Sequence, residues 1–399
     1  MKACGGDVMT GFPVPARLRV TAASAYERPF VRWFMQHVRE IEGTASVGSR
    51  GEHVAVLRPA PRDLGKVRVD GIDGGLEAAL RRTQTDAFIV LHRGEVVDER
   101  YYGGMTAETP HMWQSVSKSL VSCVAGNLAA AGAIDPDESI VAYVPELRDS
   151  AYGDARLRHL LDMQVGVDFS EDYEDPGSEV ARLDRLYGFR AAVSPDEPGS
   201  TYEFAMSMTK KGEHGERFAY VSLNTNVLGW VMERATGLRL PDLIKREVWG
   251  KLGAEHEAYI ALDGAGSAQA EGGFCSSLRD LARFGQAICD DGRFNGHQVV
   301  PWAWLEDMRE NGDRAAFARE YEDDVMNDGA YRGCFWVSHE PDHTAIMGLG
   351  IYGQMLYVNP EARVVVAKFS TQTRADDAEA FSVEYALCES LAASIQTGT

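Results

Sequence analysis

The chain has 399 residues, is 45% hydrophobic and carries a formal net charge of −20. That length supports two lobes around a sizeable core, and so acidic a surface repels phosphate backbones and anionic lipid, so neither nucleic acid nor a membrane surface is an expected partner. The sequence contains no run of about 18 apolar residues that would span a bilayer.

The opening MKACGGDVMTGFPVPARLRV has neither a continuous apolar stretch nor a small-residue cleavage site, so no secretory leader is expected. Six cysteines (Cys4, Cys123, Cys275, Cys289, Cys334, Cys388) are scattered, with no Cys-x-x-Cys pair and no zinc-type histidine spacing. Reduced, buried thiols in a cytoplasmic protein without a metal are the expectation.

Residues 1–75 are irregular and rich in Pro, Gly and Arg, and read as a wrapping arm. TDAFIVLHRGEVVDERYYG then gives two apolar runs joined at His92-Arg93-Gly94, a β-hairpin signal. MWQSVSKSLVSCVAGNLAAAGAID follows as an apolar helix starting near Ser115 and ending at Gly132. RLRHLLDM and LNTNVLGWVMERATGL are helical in pattern, the second with Asn224 as its cap and Gly237 past its end. SSLRDLARFGQAICDDG is an amphipathic helix capped by Ser276 or Ser277. GCFWVS, GIYGQMLYVNP and ARVVVAKFST are strand-like, and AEAFSVEYALCESLAASI closes the chain as a helix. This order predicts an α/β (α+β) fold: an antiparallel sheet flanked by helices, built from residues 76–150 and 275–399, with residues 151–274 as a mainly helical second lobe.

At the start of the first long helix, Ser115 and Lys118 are three residues apart and share one face. Unpaired backbone N–H groups there carry positive partial charge, which with burial lowers a lysine pKa. A neutral lysine can take a proton from a serine hydroxyl, and the same N–H groups can stabilise an oxyanion. The pattern alone also fits an N-cap serine beside a solvated lysine. Ser117 and Ser119 crowd the same turn, but only Ser115 has the Ser-x-x-Lys spacing.

Ser-x-x-Lys recurs in penicillin-recognising serine enzymes. HLLDMQVGVDFSEDY, AIDPDESIVAYVPEL and LRDLARFGQAICDDGRFNGHQVVPWAWLEDM resemble class C β-lactamase-type hydrolases. More narrowly, MWQSVSKSL, LDMQVGVDFSEDYEDPGSEV, TYEF and GIYGQMLYVNP resemble the 6-aminohexanoate-dimer (nylon oligomer) hydrolases from about Asp86 onward. The resemblance implies a β-lactamase-like fold and a catalytic set of Ser115, Lys118 and Tyr220, the last in FAYVSLNTNVLG, as proton shuttle. Relatives mostly read Tyr-x-Asn where this chain has Tyr220-Val221-Ser222. The third motif, Lys-Thr-Gly on an inner strand of β-lactamases, corresponds to Tyr352-Gly353-Gln354, which lacks the cation that meets a substrate carboxylate. By the same likeness Tyr173 hydrogen-bonds a substrate amide, Asp184 pairs with a substrate ammonium, and Glu271, with Tyr352 and Gly353, lines the substrate site.

The stretch from Gly348 to Gly353 matches Gly-x-Gly-x-x-Gly, but a strand-like segment follows where a dinucleotide site needs a helix. The expected activity is hydrolysis of small linear amides of the 6-aminohexanoate-oligomer type through an acyl-enzyme, with short-chain esterase activity. No cofactor is expected, the partner is a small amide or ester, and the family implies a homodimer. The rivals are a carboxylesterase of the same fold, a β-lactamase or peptidase, and a catalytically silent binding protein.

Overall fold

The computed structural model describes residues 8–48, 54–191, 197–321, 326 and 328–397. Eight strands form the main sheet: β1 (Arg58–Pro59), β2 (Thr85–His92), β3 (Glu95–Tyr101), β4 (Ala330–Arg332), β5 (Phe335–His339), β6 (Thr344–Gly350), β7 (Gln354–Asn359) and β8 (Val364–Ser370). Their order is β4-β5-β6-β7-β8-β2-β3-β1, antiparallel except where β1 meets β3. The fold is the predicted β-lactamase-like α/β arrangement. Strands from both ends of the chain meet at the β8–β2 pairing, Val364 opposite His92 through Lys368 opposite Phe88.

The β2–β3 hairpin turns at Arg93 and Gly94, whose φ angles of 54° and 79° suit a two-residue loop matched to strand twist. β2, β7 and β8 read as nearly unbroken apolar runs because both faces of the sheet are covered. Helix Leu278–Cys289 lies on one face, where Gly285 meets Leu356 and Val365. Helix Ala378–Thr397 lies on the other, where Tyr357 donates to Glu389 at 2.9 Å and Cys388 approaches Met355 at 3.6 Å.

The helix after Ser115 runs from Val116 to Ala130 and is buried almost all round. Its serines are satisfied by the elements packed on it. Ser117 accepts from the Phe274 N–H at 3.2 Å, Ser119 donates to the Cys334 carbonyl at 3.0 Å, and Ser122 accepts from the Trp304 indole at 3.3 Å.

Three expectations change. The helix expected to begin at Asn224 spans Ser222–Thr236, with Val221 at its N-cap; Asn224 is buried inside it and accepts from the Tyr152 hydroxyl at 3.2 Å. Tyr352 and Gly353 lie in a turn between β6 and β7 and not on a strand. The arm contains helix Val31–Gln36 and strand Thr44–Gly48, which joins Ala258–Ala261, Phe274–Ser276 and His111–Met112 in a second, four-stranded sheet. Strands of two to five residues leave too short a pattern to read. Cys123, Cys275, Cys289, Cys334 and Cys388 are unpaired and buried, while Cys4 lies outside the described residues.

The Gly-x-Gly-x-x-Gly stretch has a packing role. β6 runs against the start of the Ser115 helix so closely that a Cβ on Gly348 would sit 3.0 Å from Val116 Cγ1. One on Gly350 would sit 2.8 Å from the Trp113 carbonyl oxygen. Gly350→Ala forces that backbone apart, and we expect a loss of about 1–3 kcal/mol. A fall in the urea midpoint at unchanged m-value measures it.

Candidate active site

Ser115 stands at the N-cap of helix Val116–Ala130, and the helical spacing brings Lys118 over it. Lys118 is 1% exposed. Its ammonium donates to Ser115 Oγ at 2.7 Å, Ser222 Oγ at 3.1 Å and the Glu271 carbonyl oxygen at 2.9 Å. Burial lowers its pKa to about 8, with the carboxylates of Glu171 and Glu271 opposing the fall.

Tyr220 stands just before the second helix, and Lys118 Nζ lies 5.0 Å from its ring centroid. Trp336 stacks on it at 5.6 Å and Tyr331 meets it edge-on at 5.9 Å. Burial raises the Tyr220 phenol well above its ordinary pKa, so it stays protonated at neutral pH. Ser115 and Lys118, one helical turn apart, and Tyr220, from a distant part of the chain, thus meet at the hydrogen-bond network of one buried amine.

Two residues that the sequence did not single out complete this network. Ser222 donates its N–H to Glu171 Oε2 at 3.0 Å and its hydroxyl to Glu171 Oε1. The chain Lys118–Ser222–Glu171 thus couples the lysine to a carboxylate. Glu171 is one of four acids in FSEDYED, and composition gives no means of choosing it from Asp172, Glu174 and Asp175. The Ser222 signal was visible as the departure from Tyr-x-Asn.

A cavity of about 540 Å³ opens on the serine; Ser115, Glu171, Tyr173, Tyr220, Trp336 and Gly353 are among its walls. Tyr173 lies at the wall with its hydroxyl already donated to Glu171 Oε1 at 2.6 Å. The other expected contacts stand differently. Asp184 is bonded at 2.9 Å to Arg190, whose guanidinium also holds the Tyr173 carbonyl at 3.0 Å, and it is not among the cavity's lining residues. Burial raises the Asp184 pKa to about 6, against the pull of Arg190. Glu271 sits behind Lys118, outside the lining; Gln269 donates to its Oε1 at 3.1 Å, and Oε2 is buried without a partner among the described residues. Burial raises Glu271 to about 7, with Lys118 opposing. Tyr352 is buried behind the wall, and its N–H is committed to the Ala375 carbonyl at 2.8 Å. Gly353 keeps the turn open: a Cβ there would lie 2.3 Å from the Gln372 amide nitrogen.

Four non-glycine residues around the site hold left-handed backbone: Gln114 (φ 50°), Met163 (φ 53°), Cys334 (φ 58°) and Tyr352 (φ 62°). Each costs about 1–3 kcal/mol and persists because its surroundings hold it. Gln114 directly precedes the serine. Among the described residues no group of three His, Cys, Asp or Glu is placed to hold a metal ion, and no helix is long and apolar enough to cross a membrane.

Fold and site define a hydrolase of the Beta-lactamase family: its profile matches residues 75–386, and the chain belongs to that family. The chain is 37% identical over 363 residues to the 6-aminohexanoate-dimer hydrolase of Paenarthrobacter ureafaciens, with 90% of each chain covered. It superposes on a Bacillus anthracis protein provisionally assigned as a 6-aminohexanoate-dimer hydrolase with a TM-score of 0.87 and 28% identity, covering 96% of this chain and 99% of that one. A family VIII carboxylesterase shares the fold at a TM-score of 0.56 and 17% identity, with 81% and 99% covered.

Both carboxylates near Lys118 favour its charged form. Glu171→Gln and Glu271→Gln should therefore each lower the lysine pKa and move the acid limb of the pH–rate profile to lower pH. Profiles with a chromogenic ester check the direction; a limb that moves upward or stays would contradict it.

Proposed function

We propose that the protein is a serine hydrolase that cleaves small linear amides of the 6-aminohexanoate-oligomer type through an acyl-enzyme, and short acyl esters by the same route. The observation that carries this reading is the buried lysine bonded to Ser115 Oγ at 2.7 Å. Likeness to the Paenarthrobacter relative supports the substrate class.

Neutral Lys118 accepts the Ser115 hydroxyl proton as Oγ bonds to the substrate carbonyl carbon and the C=O electron pair moves onto oxygen. The Ser115 N–H at the helix start supports that oxyanion. A second donor comes from the turn after β6, where the Tyr352 N–H is already engaged, which leaves Ile351 or Gly353. As the tetrahedral centre collapses and the C–N bond breaks, the leaving nitrogen takes the phenol proton of Tyr220, and the Lys118 ammonium returns a proton to the phenolate. Water then attacks the ester of Ser115, losing its proton through the same pair, and the freed Oγ regains one. Glu171 anchors Ser222, which holds the lysine on its second bond.

The test offers the purified protein and its Ser115→Ala variant a 6-aminohexanoate linear dimer, p-nitrophenyl butyrate and nitrocefin. We expect dimer and ester cleavage, intact nitrocefin, and a loss of at least about 10³-fold in the variant. Ester turnover without dimer cleavage would make the protein a carboxylesterase, and activity surviving the substitution would remove Ser115 as nucleophile. Because the active lysine is neutral, kcat/KM should rise with pH through about 8 and fall below it. A rate independent of pH across that range would remove Lys118 as the base.

A further inference from the structure

The Beta-lactamase family match begins at residue 75, yet the segment before it reaches the Ser115 site. Tyr26 stacks on Tyr352, with ring centroids 5.7 Å apart and planes inclined by 16°. Its hydroxyl accepts from the Gln114 amide at 3.3 Å. Gln114 and Tyr352 are two of the four left-handed residues at the site. One immediately precedes the serine, and the other lies in the turn across from it. A single side chain from outside the family region therefore touches both.

Tyr26 is itself fixed from behind. Phe34 and Phe189 meet its ring edge-on at 5.5 and 5.6 Å. Phe34 belongs to helix Val31–Gln36 and is fully buried. In the same stretch Arg32 pairs with buried Asp86 at 2.8 Å, and Arg28 donates to the Thr371 carbonyl at 2.7 Å. Thr371 donates to Asp86 at 2.9 Å, which closes the connection to the end of β8. The arm is thus tied to the main sheet on one side and presses on the site with the other.

We infer that the N-terminal arm is a working part of the active site and that Tyr26 is a positioning residue. It holds Gln114 and Tyr352 in their strained conformations, so that Ser115 and the turn carrying the second oxyanion donor stay in register. The inference rests on the serine-hydrolase reading. A strained conformation relaxes when its support goes, and a shift of about an ångström in a reacting group costs on the order of a hundredfold in rate. Tyr26 is not among the cavity's lining residues, so the expected effect of its loss falls on the chemical step.

The full-length protein and its Tyr26→Phe and Tyr26→Leu variants are compared on p-nitrophenyl butyrate, with rates normalised to the fraction of serine labelled by a fluorophosphonate. Tyr26→Leu should lower kcat about tenfold or more with KM within about twofold, and Tyr26→Phe, which keeps the stack, should recover most of the loss. If Tyr26→Leu does not fold, Phe34→Leu, which withdraws the ring behind Tyr26, must show the same fall in kcat at unchanged KM. A normalised kcat within about twofold of wild type, or an effect confined to KM, overturns the clamp while the hydrolase reading stands. Wild-type protein inert toward ester and amide alike overturns the hydrolase reading and the clamp with it.

Discussion

The site depends on keeping one ammonium group out of water. Burying a lysine without partners costs several kcal/mol, and the chain would then deprotonate it or push it outward. Here three acceptors converge on Lys118: Ser115 Oγ from its own helix, Ser222 Oγ from the start of a second helix, and the Glu271 carbonyl from the segment leading into the second sheet. Each comes from a different part of the chain, so the fold must be complete before the lysine is satisfied. The compromise leaves its pKa near 8, where both protonation states are accessible at neutral pH. That intermediate value is what a base needs, and it arises from burial and nearby carboxylates acting in opposite directions.

Convergence of this kind needs close approach. β6 can lie against the Ser115 helix because Gly348 and Gly350 present no side chain there. The left-handed residues are a further consequence. Gln114 and Tyr352 turn the backbone sharply on either side of the reacting region, and the energy stored in them is compensated by packing elsewhere. The arm supplies part of that packing, which gives a segment outside the family match a reason to be tied to the sheet through Arg28, Arg32 and Asp86.

What was readable in the sequence follows from how local each signal is. The β2–β3 hairpin, the helix after Ser115 and the Ser-x-x-Lys spacing depend on neighbours within a few residues, and they appear as expected. The second helix shows the limit. Asn224 is a good local cap, but the observed cap is Val221, three residues earlier, because the Ser222 N–H finds its acceptor in Glu171, 51 residues away. No local rule contains that partner. The partner of Asp184, expected to meet a substrate ammonium, is hidden for a similar reason: Arg190 follows six residues later, but only the folded loop turns its guanidinium back onto the acid. Glu171 was hidden among like-charged neighbours, and the site uses its orientation, which composition does not encode.

The third-motif turn joins these points. Its sequence lacks the cation that meets a substrate carboxylate in penicillin-recognising relatives, yet a lysine does lie beside it. Lys368 on β8 reaches the Gly353 carbonyl at 3.3 Å, but its remaining donors go to Ser370 and to buried Glu384. Glu384 also accepts from Gln372 at 2.7 Å. A charge so enclosed holds the turn in place and has no donor left for a ligand. The field inside the cavity is then set by its walls, where among the described residues Glu171, Glu320, Asp376 and Asp377 outnumber the guanidinium of Arg217. An anionic substrate would have to enter against that field, whereas a neutral or cationic acyl chain would not. The positive charge near the turn thus serves the fold, and the cavity is left acidic.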